Sequence, residues 1–270
     1  MELPLREWIA WALPEQGDLA RNVMLVLRLG SERFPPRSRV GRSEVYQEHL
    51  VNADARLLLR ITDAIVQLHP AWETVDRGAH RDVVAGIVEL FASLAKLLDH
   101  GGSYVRFSLE ERRLIRRVAP EADKAFQKVR AEAPEDAGRL LASAWVHAYS
   151  LDPDPDKSYS ESVKAVEAVL NPLVVPNDPG PTLGKTLGIL RQQTAGGTWR
   201  LVVGALGNQP QNIERFIGMV DLLWKNHDSR HAGGPNARAQ EQHEAEAVLH
   251  LAILIVQWVN THVLRRTESS

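Results

Sequence analysis

The chain has 270 residues, 44% hydrophobic and 24% charged, with 32 Lys+Arg against 34 Asp+Glu for a formal net charge of −2. That balance excludes a strongly basic nucleic-acid coat and an acidic disordered tail, and the apolar share can build a sizeable core. The absence of cysteine excludes disulfide scaffolds, thiolate catalysis, iron–sulfur clusters and cysteine-based zinc sites, so that only a metal site of His and carboxylate stays open.

The opening residues, Met1-Glu2-Leu3-Pro4-Leu5-Arg6-Glu7-Trp8, carry acids where a secretory leader needs a basic start, and no apolar run follows. The longest apolar stretch, 245–259, is interrupted by Glu246, His250 and Gln257 and is too short for a membrane span. A soluble, cytoplasmic protein with no membrane partner is expected.

Asp18 is placed to cap a short helix over 18–29. Residues 44–68 carry Val45, Leu50, Leu57, Leu58, Ile61, Ile65 and Leu68 mostly at helical spacing, which predicts one amphipathic helix stopped by Pro70. Residues 80–98 repeat the pattern, and Gly101-Gly102 ends it. Tyr104-Val105-Arg106-Phe107 alternates apolar and polar and pairs with 114–118 as a hairpin, although 109–117 reads equally as helix. A helical pattern fills 120–149, with a break near Pro134.

Asp152-Pro153-Asp154-Pro155-Asp156 cannot continue a helix and sets the expected domain boundary, with a helical region of unknown function over 1–150 and a second helical domain over 151–270. Asp156 or Ser158 is expected to cap a helix over 159–170 that Asn171-Pro172 ends, and Thr182 to cap 183–192. Segments 199–206 and 212–227 follow Gly196-Gly197. A Gly/Pro/Asn-rich stretch, 232–236, then leads into a closing helix over 240–264, expected to be a buried spine. The predicted fold class is all-α: a helical bundle in two helical parts, with at most one small β-hairpin in the N-terminal part.

Most catalytic signatures are absent: there is no GxSxG elbow, no phosphate-binding P-loop, no GxGxxG and no HExxH. Gly184-Lys185-Thr186 imitates the tail of a P-loop without its earlier glycine and reads as helix interior. Two arginine clusters, Arg28/33/37/39/42 and Arg106/112/113/116/117, suit phosphate contact or an ordinary solvated surface. The densest chemistry is His227-Asp228-Ser229-Arg230-His231 before Ala232-Gly233-Gly234. A histidine there can move the 2′-OH or leaving-group proton near neutral pH, and an arginine can hold a scissile phosphate, so RNA cleavage without metal is one reading. Helix capping with a structural Asp228–Arg230 pair is the other. A metal held by His227, His231 and Asp228 is a weaker third.

Four segments together carry a resemblance: Tyr159-Ser160-Glu161-Ser162-Val163-Lys164-Ala165-Val166-Glu167-Ala168; Thr182-Leu183-Gly184-Lys185-Thr186-Leu187; Asp228-Ser229-Arg230-His231-Ala232-Gly233; and Glu244-Ala245-Glu246-Ala247. In this order, over about residues 140–265, the chain resembles the abortive-infection C-terminal domains of the HEPN superfamily, helical domains of bacterial antiviral and toxin systems. The resemblance implies a helical bundle that often dimerises and whose active members cleave RNA at the dimer cleft, with no metal or other cofactor assigned. It assigns catalysis to Arg230 and His231, and substrate binding to Lys225, Asn226 and Asp228. The family's spacing of Arg, four to six residues, then His is met here by Lys225 in place of Arg, with Asn226 next and His231 at the end. The alternative implied is a non-catalytic member: a helical sensor, scaffold or dimerisation module that binds RNA, a nucleotide or a partner protein of a defence system. Trp224 and Trp258 are large aromatics of the kind interfaces use, which adds to the expectation of a homodimer.

Overall fold

A computed structural model describes residues 1–14, 18–29, 42–78, 81–225 and 238–267, which form two compact units, Met1–Arg117 and Val118–Ser270. The fold is mainly all-α. No described helix is long and apolar enough to cross a membrane.

The first unit contains α1 (Glu2–Ala12), α2 (Leu19–Val26), α3 (Arg42–Val51), a 3-10 turn (Ala55–Leu57), α4 (Leu58–Leu68), α5 (Ala71–Asp76), α6 (Arg81–His100) and the antiparallel hairpin β1 (Val105–Ser108) with β2 (Arg113–Arg116). Its core joins Trp8 and Ile9 of α1 to Ile61 and Ile65 of α4 and to Phe91, Leu94 and Leu98 of α6. Trp8 meets its polar need inside by donating Nε1–H to the Leu90 carbonyl at 3.0 Å. The single helix expected over 44–68 is instead two helices. Asp54 accepts from the backbone N–H of Arg56 at 2.8 Å, a local bond that competes with helix continuation, and the Arg6 guanidinium donates to the carbonyls of Val51, the last residue of α3, and Ala53 beyond it. Helix α6 ends as expected, with Gly102 at φ 62, where a side chain would be strained. The hairpin forms, and the alternative helix over 109–117 does not.

The second unit contains α7 (Pro120–Glu132), α8 (Glu135–Tyr149), α9 (Pro155–Val174), α10 (Leu183–Ala195), β3 (Trp199–Leu201), a 3-10 turn (Leu206–Asn208), α11 (Gln209–Lys225), α12 (Gln242–Asn260) and β4 (Leu264–Arg266). Helix α9 is central and packs on α8, α10 and α12. The acidic-proline run at 152–156 therefore closes the link from α8 and opens α9 inside this unit, and the compact units divide earlier, between Arg117 and Val118. Asp154, rather than Asp156 or Ser158, caps α9 by accepting from Lys157 N–H at 3.0 Å, with Pro155 at the first helical position, where a missing N–H costs nothing. Helix α9 also runs on through Pro172 to Val174. Asn171, expected as a terminator, is buried there and accepts from the Thr186 hydroxyl at 2.6 Å, so tertiary bonding outweighs the proline penalty. Thr182 caps α10 as expected, accepting from Lys185 N–H.

Helix α12 is the buried spine: Ala245, Leu249, Ala252, Ile255 and Val256 have no exposed surface. It stops at Asn260, earlier than expected. The following residues turn through His262 at φ 57 and form β4, which pairs antiparallel with β3. This second small sheet was not expected from the sequence.

Candidate functional site

Helix α11 delivers Lys225 to its last turn, and its inner face is fixed by Phe216, Ile217, Val220 and Leu223. The Tyr159 hydroxyl donates to the Leu223 carbonyl at 2.8 Å, which anchors that turn to α9. Gly184 of α10 lets the Trp224 ring approach, since a Cβ there would lie 3.1 Å from it.

Lys225 Nζ lies 2.6 Å from Asp221 Oδ2, and Arg191 of α10 donates to Asp221 Oδ1 at 2.8 Å. Lys225 and Arg191 together hold the Asp221 carboxyl below its ordinary pKa. Two cations on one carboxylate leave a net positive charge at the end of α11. Beside them a cavity of about 390 Å³ opens between α10 and α11, lined by Arg191, Thr194, Pro210, Glu214 and Ile217.

Of the residues assigned a role from sequence, Lys225 alone is described. Asn226, Asp228, Arg230 and His231 lie outside the described residues, as does the metal set of His227, His231 and Asp228. Past them, Arg238 forms a bidentate pair with Glu244, whose carboxylate also accepts from the Glu241 N–H at 2.9 Å at the start of α12. These bonds lower the Glu244 pKa to about 2, with Arg238 the larger cause. The Gln240 N–H donates to Asp156 at 2.9 Å, tying the residues that lead into α12 to the start of α9. Among the described residues, no group of three or more His, Asp or Glu is placed to hold a metal.

Asp221 and Arg191 were missed from sequence. The i,i+4 spacing of Asp221 and Lys225 is a readable signal; Arg191 comes from another helix and leaves none. Two inward histidines also emerge. His250 of α12 shares a 2.8 Å bond with the Tyr149 hydroxyl and meets the Trp145 ring edge-on, and burial lowers its pKa. His69 lies 3.2 Å from the Ala12 carbonyl through Nε2 and accepts from Ala71 N–H through Nδ1, which fixes a neutral ring with the proton on Nε2. Burial lowers its pKa as well.

The arginines around the hairpin hold structure. Arg112 clasps Asp76 with both terminal nitrogens and lies over the Trp72 ring at 4.9 Å; Arg113 donates to Gln67; and Arg117 bonds Asp99 and the Ser103 carbonyl. In the other cluster, Arg33, Arg37 and Arg39 lie outside the described residues. Trp224 lies against Gly184, and Trp258 stacks on Phe216 at 6.3 Å. No protein-family model, curated protein or solved structure matches this chain.

Proposed function

We propose that residues 151–270 act as a HEPN-like module of a bacterial antiviral-defence or toxin system, binding and cleaving RNA without metal at the run that joins α11 to α12. In this reading His231 is the general acid or base. Arg230 and Lys225 hold phosphate, and Asn226 and Asp228 position the substrate. The observation that supports it is the charge arrangement at the end of α11, where Arg191 and Lys225 share Asp221. Lys225 is 72% exposed and Asp221 keeps Arg191 as a second partner, so an RNA phosphate can draw the ammonium away from Asp221. Fluorescence anisotropy with a labelled single-stranded RNA tests this. Lys225→Gln and Arg230→Gln should each weaken binding and reduce the slope of log affinity against log salt by about 0.7. Unchanged affinity and slope in both variants would contradict it.

A second reading, a dimerising scaffold without catalysis, draws on Leu222, a large apolar side chain left 59% exposed on α11 beside Lys225. Light scattering at tens of micromolar should then give a dimer that Leu222→Glu converts to monomer. A wild-type monomer would count against it.

A further inference from the structure

We propose that the outer face of the β3–β4 ribbon is a phosphoryl-binding site whose two ligands are Arg200 and Arg265. The register places these two residues directly opposite each other. Val202 N–H bonds the Val263 carbonyl, and Thr267 N–H bonds the Thr198 carbonyl. Antiparallel bonding alternates, so the Arg200–Arg265 pair between them is a hydrogen-bonded pair, with its Cα atoms about 5.5 Å apart. Trp199, Leu201 and Leu264 are buried on one face of the ribbon. Alternation therefore sends Arg200 and Arg265 to the other face together, flanked by Thr198 and Thr267.

Like charges at directly opposed positions destabilise a strand pair. Elsewhere in this unit arginines meet carboxylates: Arg139 with Asp136, Arg191 with Asp221 and Arg238 with Glu244. Among the described residues, neither Arg200 nor Arg265 has such a partner, and the Nε of Arg200 is buried without an acceptor. A buried donor left unpaired is costly and points to a missing acceptor. Arg266 is employed differently. It lies over the Trp199 ring at 5.2 Å and reaches the Leu173 carbonyl, so it fastens the ribbon to α9.

The chemistry selects the ligand. One carboxylate satisfies one guanidinium fork, whereas two forks on neighbouring positions of one face match a tetrahedral anion with three or four acceptor oxygens. The paired strand positions on this outer face carry no aromatic ring on which a base could stack, so the site reads phosphate and not sequence. Free phosphate, a nucleotide phosphate and an RNA backbone phosphate all present that chemistry. The site uses none of residues 226–237 and does not require His231.

The test uses the full chain, the double variant Arg200→Gln/Arg265→Gln, the conservative variant Arg265→Lys, and Arg139→Gln as a control for net charge. The probes are inorganic phosphate, AMP, a labelled single-stranded RNA 12-mer and its uncharged-backbone analogue. Phosphate and AMP should raise the melting temperature of wild type and of Arg139→Gln but not of the double variant, with Arg265→Lys between. Without ligand, the double variant should melt no lower than wild type, because a like-charge pair has been removed. If RNA is the source, the double variant should lose several-fold in RNA affinity and about 1.4 in salt slope, two contacts at about 0.7 each. If RNA affinity is unchanged while phosphate and AMP binding is lost, the source is a free phosphoryl compound. Phosphate, AMP and RNA binding equal to wild type in the double variant overturns the site. So does an equal loss in Arg139→Gln, or a double variant that melts well below wild type without ligand. His231→Ala should bind phosphate normally, which separates this site from the cleavage reading.

Discussion

Asp63 is a buried carboxylate that fastens strand β2 to α4, and its removal tests how the first unit is held. It stands on α4 with 9% of its surface exposed. Oδ1 accepts from the Leu114 N–H of β2 at 2.6 Å, and Oδ2 accepts from the Gln67 side chain at 2.8 Å. Asp63→Ala deletes both bonds and leaves the buried Leu114 N–H without an acceptor. An unsatisfied buried donor costs about 1–3 kcal/mol, and a hydrogen bond to a charged group contributes about 1.5–3 kcal/mol. These terms overlap, because the orphaned donor is part of the lost bond, so the expected loss is about 2–4 kcal/mol. For a unit of this size each kcal/mol moves the midpoint by roughly 3–6 °C, giving a fall of roughly 6–24 °C. Asp63→Asn keeps a carbonyl for Leu114 and should lose about half as much. Thermal and urea unfolding of both variants and wild type, followed by circular dichroism, reads the loss. A loss below about 0.5 kcal/mol for Asp63→Ala would show that Asp63 does not hold β2, as would Asp63→Asn being the more damaging change.

Ile253, 5% exposed in the closing helix, should cost about 2–5 kcal/mol on change to Ala, measured by urea unfolding of the full chain. His69 and His250 both have pKa values held below the ordinary 6.5 by burial. The unfolded chain then takes up protons that the folded chain refuses, so their contribution is complete above about pH 6.5 and is lost as the pH falls below it. Unfolding midpoints at pH 7.5 and 5.5 should show this loss, His69→Gln should reduce it, and His69→Gln/His250→Gln should reduce it further. Glu244, held at about 2 by Arg238 and the Glu241 N–H, stabilises the folded chain above its ordinary 4.5 and loses that contribution as the pH falls toward 2. Glu244→Gln should lower stability at pH 7 and flatten the acid limb of the pH–stability curve.

What could be read in advance was local. Pro120 and Pro134 mark helix starts, Gly102 marks an end and Thr182 a cap, because each acts through its own backbone or a neighbouring amide. The misreadings have non-local causes. Pro172 stays inside α9 because Asn171 finds Thr186 on another helix. The second sheet joins strands of three residues, too short for alternation to register, across sixty-odd positions of chain. The division between units falls where packing sets it, and Asp152 to Asp156, despite their strong local signal, link two helices of one unit. At the candidate site, Lys225 could be singled out from its place before the His/Arg run. Its carboxylate partner lies one helical turn back, but Arg191 reaches that carboxylate only through the α10–α11 packing.

The measurement that bears most directly on the proposed function is the rate of RNA cleavage by wild type and His231→Ala, with melting curves of both and with EDTA present throughout. Wild type should cleave in the presence of EDTA, and His231→Ala should fall about 10²–10⁴-fold in rate with its melting temperature nearly unchanged. A folded His231→Ala protein that cleaves at the wild-type rate, or a wild type that cleaves no RNA at all, would contradict it.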